Sequence, residues 1–474
     1  MTTIQRTLSL LVGFILVCIF LTPIAFAQQD LTGSWKGELD VGLQKLPLIF
    51  HFQPDGDGWK TTMDSPSQQA KDIPVSKVLY DGQLLTMEMK QLQAAFEGIY
   101  QGDAFQGQFM QAGLSLPLSL VKIEMTKEET IELNRPQEPI GPFPYEIIQT
   151  TFINGPEGFA LKGTITKPSG QGPFPAVVLV SGSGPQNRDS EIFGHKPFWV
   201  LADYLTRKGI VVLRYDERGV GESEGTFKGI TSYDFASDSH AAMQRLQGYE
   251  FVQKDKIGIM GHSEGGLIAW ILGAAGSELP NFLVALAPPV VPINELMAQQ
   301  AFDVIIASSG DEDLAREQSE YNRELFKVVK NSPDEEKAKA AMASFVEMKG
   351  KEMGLSGDEL TKHIEQQVSA YQQLLDPWFF VFIKTEPSQM IEKISVPVWA
   401  GFGGKDTQVN ASLNHRALED LSGNSTGRII KTYPNLNHLF QTSTTGAVSE
   451  YGEIEETFSP KVMEDIGAWI NELD

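Results

Sequence analysis

The chain has 474 residues, of which 41% are hydrophobic and 9% aromatic, enough to build two or three packed cores and too much for a disordered or fibrous protein. A formal net charge of −23 repels phosphate backbones and anionic headgroups, which argues against nucleic-acid binding and peripheral membrane attachment. The single cysteine, Cys18, leaves no partner for an internal disulfide and excludes zinc held by cysteines.

Residues 1–27 read as a secretory signal peptide: Arg6, an apolar run from Leu8 to Leu21, then Pro23 and Ala25-Phe26-Ala27, with cleavage expected after Ala27. The protein is therefore expected to be exported, periplasmic or secreted, with no stable membrane association once the signal is removed. The competing reading is an uncleaved anchor, although an apolar run of roughly 15 residues falls short of the usual spanning length. Cys18 lies inside the run, and Leu16-Val17 is a poor lead-in for lipid attachment.

From Leu31 to about Lys122 apolar residues recur with period two, in LPLIFHFQ, GWKTTMDS, QLLTMEMKQL, AAFEGIYQG and LSLPLSLVK, punctuated by Asp55-Gly56, Asp81-Gly82 and Gly102-Asp103. Alternation joined by Asp/Gly turns predicts a small all-β meander or barrel, placed as an N-terminal β domain at 28–125. Gly33-Ser34-Trp35 at its start resembles the Gly-x-Trp opening of lipocalin-like barrels, a motif only three residues long. Such an interior either holds a ligand or is filled by its own side chains. Residues 126–144 follow as a Pro-rich linker, in which Pro136, Pro139, Pro142 and Pro144 stiffen a charged stretch.

From 145 to 474 short β-branched runs alternate with helical segments. The strand candidates are EIIQTTFI, FALKGTITK, PAVVLVSGS, IVVLRYDE, KIGIMGH, FLVALAPP, VPVWAGF and RIIKTYP. Several are apolar throughout, as strands buried on both faces must be, which predicts an α/β fold with a mostly parallel sheet flanked by helices. Between about 294 and 391 no strand is evident. That stretch is charged, rich in Glu, Lys, Ala and Gln, and too long for a loop, so it is expected to be a helical cap insertion over the carboxyl edge of the sheet. Its charge runs read as solvated faces, and Trp378, Phe379, Phe380 and Phe382 as an anchor or a pocket lining.

The pattern G-x-S-x-G occurs twice. At Gly221-Glu222-Ser223-Glu224-Gly225 the preceding strand has already ended and no helix follows, so that serine is expected in a loop. At Gly261-His262-Ser263-Glu264-Gly265 the strand KIGIM runs directly into the motif, and LIAWILGAAG continues from it as an apolar, small-residue helix. A nucleophile elbow requires that context, because the serine sits in a strained strand-to-helix turn. Ser263 is therefore the expected nucleophile.

A serine hydroxyl needs a base, and the base needs an orienting group. In an α/β-hydrolase these follow in the chain order Ser, acid, His. Of the histidines after Ser263, His363 lies in the cap and His415 in a predicted helix, whereas His438 follows a strand in the loop NLNHLF and is the expected base. Asp406, in FGGKD at the end of the preceding strand, is the expected acid; a turn-forming role is its alternative, and Asp376 is the substitute candidate. The oxyanion hole requires the backbone N–H of Glu264 and one from Ser181-Gly182-Ser183-Gly184, where Ser183 is chosen and Gly182 is the alternative. Asp216 and Arg218 are read mainly as structural.

SGSGPQNRD, LRYDERGVGESEG, GHSEGG, GGKD and NLNH, in that order, make residues 145–474 resemble the α/β-hydrolase superfamily, within its exported bacterial esterase and serine-aminopeptidase-like branch. The β domain lies outside the resemblance, and the long gap from Ser263 to Asp406 departs from a minimal member. The expected activity is hydrolysis of a small-molecule carboxylic ester through an acyl-enzyme, without metal or organic cofactor. A peptidase or amidase using the same residues is the alternative, and a ligand-binding protein with an inactive hydrolase domain is the alternative from another class. The sequence carries no signal of oligomeric state.

Overall fold

The computed structural model describes residues 30–473, apart from 41–44, 57, 67–69, 90–93, 112–113, 125–133 and 424–426. The expected signal peptide lies outside the described residues, as does much of the expected linker.

The first sheet has nine strands: β1 (Gly33–Asp40), β2 (Lys45–Asp55), β3 (Gly58–Ser65), β4 (Ala70–Pro74), β5 (Lys77–Tyr80), β6 (Leu84–Met89), β7 (Ala94–Gln101), β8 (Ala104–Gln111) and β9 (Leu114–Ile123). Their order is β4-β3-β2-β1-β9-β8-β7-β6-β5, all pairs antiparallel, so the first and last strands are neighbours. Between β4 and β5 the chain bends at Val75 and Ser76, whose N–H groups donate to Thr61 of β3 and Glu88 of β6 and so link the two ends of the meander.

Strand alternation puts Trp35, Phe50, Phe52, Phe96 and Phe105 inside, each fully buried, with Trp35 edge-on to Phe105 at 5.0 Å. The Trp35 indole N–H donates to the Leu31 carbonyl oxygen, so the largest interior ring leaves no polar atom unpaired. Aromatic rings fill the interior. The opposite faces of β1, β2 and β3 carry a polar ladder in which Ser34 Oγ meets His51 Nδ1 and His51 Nε2 meets Asp64.

The second sheet comprises β10 (Tyr145–Ile153), β11 (Ala160–Pro168), β12 (Phe174–Val180), β13 (Val211–Tyr215), β14 (Val252–His262), β15 (Phe282–Leu286), β16 (Val398–Gly403) and β17 (Arg428–Tyr433). They fall on the eight expected runs. The order is β10-β11-β13-β12-β14-β15-β16-β17, with β10 and β11 antiparallel and β13 onward parallel. Because β12 lies inside β13, the loops leaving β12 and β14 rise side by side from the carboxyl edge, at the point where the strand order reverses.

Both faces of this sheet are covered. Val178, Leu213, Ile259 and Leu283 pack beneath α2 (Ser232–Gln247) and α3 (Glu264–Ala274), and Val177, Val212, Met260 and Val284 pack against α1 (Pro197–Arg207) and, beyond the cap, α11 (Pro460–Glu472). Alternate residues of one strand thus enter opposite cores, which is why the central strands read as unbroken apolar runs.

The insertion between β15 and β16 is helical: α4 (Ile293–Ser309), α5 (Glu312–Asn331), α6 (Glu335–Glu352), α7 (Gly357–Ala370), α8 (Pro377–Ile383) and α9 (Pro387–Ile391). Leu325, Phe326, Met342, Phe345 and Val346 bury one side of α5 and α6 in a cluster continuous with that beneath α3. Their charged sides face solvent, as in the exposed Arg316–Glu312 pair. After β16, α10 (Ala411–Ser422) leads to β17.

The described part of the Pro-rich segment is fastened to the second domain. Arg135 donates to the carbonyl oxygens of Phe193, Gly194, Gly452 and Ile454, and Gln137 bonds to Thr457 and Phe458. Composition predicts a stiff spacer; these bonds come from two side chains that composition does not single out.

Replacing Trp35 by Ala would empty the centre of the first domain and should cost about 3–5 kcal/mol. Urea unfolding followed by far-ultraviolet circular dichroism checks this, and an unchanged midpoint would mean that the interior is not packed as described.

Candidate active site

β14 brings the chain to His262 and α3 carries it away from Glu264, so Ser263 makes the turn alone. Its backbone sits at φ 57° and ψ −117°, a conformation that costs a non-glycine residue ~1–3 kcal/mol and persists only where the surroundings enforce it. Here Ser263 N–H donates to the Leu286 carbonyl oxygen at 2.8 Å, and the Ser263 carbonyl accepts from Gly266 and Leu267. The flanks must also lack side chains. A Cβ on Gly261 would lie 1.9 Å from the carbonyl oxygen of Gly265, and one on Gly265 would lie 2.2 Å from that of Val180.

Asp406 and His438 come from the loops after β16 and β17. His438 Nδ1 donates to Asp406 Oδ2 at 2.8 Å, with both side chains buried. A carboxylate only accepts, so the proton belongs on Nδ1 and the Nε2 lone pair is left for another donor. His438 and Ser263 line the same cavity. The other oxygen of Asp406 accepts the N–H groups of Gln408 and Val409, each at 2.8 Å. Turn former and histidine partner, the two roles set against each other for Asp406, are carried by its two oxygens separately.

The competing residues have local partners. Ser223 lies in a loop, where its hydroxyl donates to the Asp216 carbonyl oxygen and accepts from Lys162 N–H. Asp376 caps α8 through Trp378 N–H, His415 bonds Thr432, and His363 belongs to α7. Asp216 binds Arg188, and Arg218 binds Asp238 and Glu157.

Two stretches of backbone face Ser263. Glu264 N–H opens α3, at the positive end of its dipole. Across from it runs the loop after β12, where a Cβ on Gly182 would come within 3.2 Å of Ser263 Cβ, so Gly182 packs directly on the serine. The Ser183 hydroxyl lies beside the Glu264 carboxyl and opposes the rise in its pKa.

Three ionisable side chains around the elbow, Glu217 and Glu264 buried and His262 half-buried, were not singled out by sequence reasoning, which used Glu264 only for its backbone N–H. The His262 ring donates from Nε2 to the His438 carbonyl oxygen at 2.8 Å, with its centroid 4.7 Å from that of His438. Burial, and next the neighbouring His438, push its pKa down to about 3, so His262 is a neutral prop. Glu217 accepts from Ser181 Oγ at 2.6 Å and from Gln186 N–H at 2.9 Å, bridging two points in the first part of the loop after β12. Burial pushes it up to about 8. The Glu264 carboxyl accepts from Ser232 Oγ at 2.6 Å and Trp378 Nε1 at 2.8 Å; burial raises its pKa against those bonds. Charged residues inside an otherwise small and apolar elbow are the signal that could have found His262 and Glu264, since such groups cannot be buried without partners.

The cavity over Ser263 has a volume of about 250 Å³. Phe198, Leu296, Met297, Trp378, Phe382 and Leu439 supply most of its apolar wall, with Gln186, Gln300 and Gln408 as polar points. Trp378 and Phe382 stack at 5.0 Å and 13°, so the cap's aromatic cluster serves both as anchor and as lining. Among the described residues no group of three or more His, Cys, Asp or Glu side chains is placed to hold a metal ion, and no helix is long and apolar enough to cross a membrane.

The family model described as serine aminopeptidase, S33, matches residues 198–443. Esterase EstD of Thermotoga maritima is 28% identical over 315 residues, a match covering 65% of this chain and 65% of that protein, just under two thirds of the relative's length. Among solved structures, the esterase Pf2001 of Pyrococcus furiosus aligns at 14% identity and a TM-score of 0.41, covering 69% of this chain and 92% of its own. Est1E of Butyrivibrio proteoclasticus, solved with ferulic acid bound, aligns at 16% identity and a TM-score of 0.37, covering 68% and 97%. Likenesses this distant do not bear on chemistry.

Glu217 has a checkable consequence for stability. The folded protein keeps its proton up to about pH 8, whereas an exposed glutamate loses it near 4.5, so stability falls as pH rises through that window and the penalty is complete above it. In Glu217→Gln the amide oxygen can accept from Gln186 N–H while the NH2 donates to Ser181. The variant should match the native melting temperature at about pH 5 and exceed it at about pH 9, by ~2–4 °C per kcal/mol relieved. Differential scanning fluorimetry at both values tests this, and equal differences would place the proton elsewhere.

Proposed function

The chain belongs to the serine aminopeptidase S33 family of α/β hydrolases, whose model covers more than half of it, and from that premise we propose that it is a carboxylesterase acting on small, uncharged esters through Ser263, His438 and Asp406. The observation that carries this reading is the wall of the cavity. Among the described residues, no lysine, arginine or aspartate lines it, and the one glutamate that does, Glu264, is buried and already accepts from Ser232 and Trp378. An aminopeptidase must hold the substrate's ammonium group on a free carboxylate, and the lining offers none. A volume of about 250 Å³ lies below the ~300–1,000 Å³ of sites for drug-sized ligands, which favours a short acyl group. The name of the Thermotoga relative, an esterase, agrees with this choice.

In the proposed reaction His438 Nε2 takes the Ser263 proton as Oγ attacks the ester carbonyl. The oxyanion that forms is held by Glu264 N–H and by a second N–H from Gly182-Ser183, each such donor contributing roughly 3 kcal/mol to lowering the barrier. The C–O bond to the alcohol breaks and His438 returns the proton to the leaving oxygen. Water, deprotonated in turn by His438, attacks the acyl-enzyme and releases the acid. Asp406 steadies the imidazolium throughout. The leader expected at residues 1–27 would place this chemistry outside the cytoplasm.

A fluorophosphonate should label the native protein and fail to label Ser263→Ala; a native protein that resists labelling would instead be a binding protein with an inert hydrolase domain. Asp406→Asn should lower kcat by ~10⁴, because the histidine is left in the wrong tautomer. Nitrophenyl acetate and butyrate should be cleaved faster than aminoacyl anilides, and faster anilide turnover would reverse the choice between esterase and peptidase.

A further inference from the structure

Glu264 supplies a backbone N–H to the proposed oxyanion hole, but its side chain has a separate arrangement. Its carboxyl group is 2% exposed and touches three segments far apart in sequence. Ser232 Oγ, from the first turn of α2, donates at 2.6 Å. Trp378 Nε1, from cap helix α8, donates at 2.8 Å to the same oxygen. The Ser183 hydroxyl, from the loop that packs on Ser263, lies beside the group and favours its charged form.

Among the described residues no arginine or lysine pairs with this carboxyl, and desolvation is the largest influence on it. Burying an unpaired acid is costly, and an apolar residue of similar size would fill the space at lower cost. What the acid adds is geometry. Trp378 is an amphipathic ring whose face lines the cavity and stacks on Phe382, and its N–H is the one polar handle by which the ring can be fixed.

Building on the hydrolase reading of Ser263, we propose that the Glu264 carboxyl is a positioning residue that fastens the Trp378 wall of the acyl pocket to the nucleophile elbow, so that acyl-chain selection by the cap depends on one side chain. Trp378 is then the specificity-determining residue, and Glu264 sets where its ring stands. A carboxyl serving only to stabilise the fold would leave the chain-length profile of a folded variant unchanged.

The test compares Glu264→Gln, Glu264→Leu, Trp378→Phe and the Glu264→Leu/Trp378→Phe double variant with the native full-length protein, on nitrophenyl acetate, butyrate and octanoate, with kcat and KM measured separately. Trp378→Phe should change the octanoate-to-acetate ratio of kcat/KM by ~10-fold, chiefly through KM, as expected when a pocket wall is altered. Glu264→Leu should make the same change. Glu264→Gln, which keeps an acceptor oxygen for Trp378 and Ser232, should recover most of the native ratio. The double variant should show no larger profile change than either single one, since both cut the same link.

A second readout needs no substrate. The fluorescence contributed by Trp378, taken as the difference between proteins with and without Trp378→Phe, should have its emission maximum displaced by Glu264→Leu and restored by Glu264→Gln. If the native protein cleaves no ester, the esterase reading fails while this spectrum still tests the link. A native chain-length profile in Trp378→Phe, or an unmoved difference spectrum in folded Glu264→Leu, overturns the inference. Should Glu264→Leu not fold, the profile of Trp378→Phe and the spectrum of Glu264→Gln decide it: a native profile overturns the inference, and an altered profile with a native-like spectrum supports it.

Discussion

The close approach of β14, α3 and β12 around Ser263 is the constraint on which the rest of the site depends. Gly261 meets Gly265 backbone to backbone, and Gly265 meets the carbonyl of Val180, at distances that leave no room for a methyl group. That contact forces the chain through a single residue of positive φ, and so lifts the Ser263 side chain above the carboxyl edge of the sheet. It also brings the amino end of α3 and the loop after β12 to opposite sides of the same residue. A methylene added on either glycine would move the elbow and with it both backbone segments that face the serine.

Around this turn the protein accumulates buried polar groups in a region that hydrophobic burial alone would have made apolar. Each has partners. His262 props the His438 backbone, Glu217 bridges Ser181 and Gln186 of the loop after β12, and Glu264 joins α2 to the cap. Their cost is desolvation, visible in the downward shift of His262 and the upward shifts of Glu217 and Glu264. Groups so placed gain directionality that dispersion contacts lack, and the loops they restrain carry few apolar side chains of their own.

The cap contributes to the cavity through two helices, α4 with Leu296, Met297 and Gln300 and the short α8. α5 and α6 are held by a stripe of large apolar residues continuous with the domain core, whereas α8 brings Trp378 and Phe382 down onto the elbow. On the other side, Phe458 lines the cavity while its backbone is bonded to Gln137 from the Pro-rich segment. The segment between the two domains therefore abuts the wall of the site, which gives it a structural part that a spacer would not have.

Sequence alone determined what depends on local period and on forbidden side chains. Short β-branched runs marked eight strands with the cap between the sixth and seventh, and the central ones read as apolar throughout because strands covered on both faces tolerate no polar alternation. Ser263 was distinguished from Ser223 by the strand before it and the small-residue helix after it, since only such flanks permit the turn. Asp406 and His438 could be singled out as strand-end residues in the required order, and the structure brings the two within hydrogen-bonding distance. Tertiary structure decided what depends on residues far apart in the chain. That Asp406 divides its oxygens between a turn and a histidine, that Arg135 reaches four carbonyls across the second domain, and that Ser183, Ser232 and Trp378 converge on Glu264 follow from strand order and helix packing. A linear pattern records which groups need partners; the partners are chosen only when the sheet places separate loops at one edge.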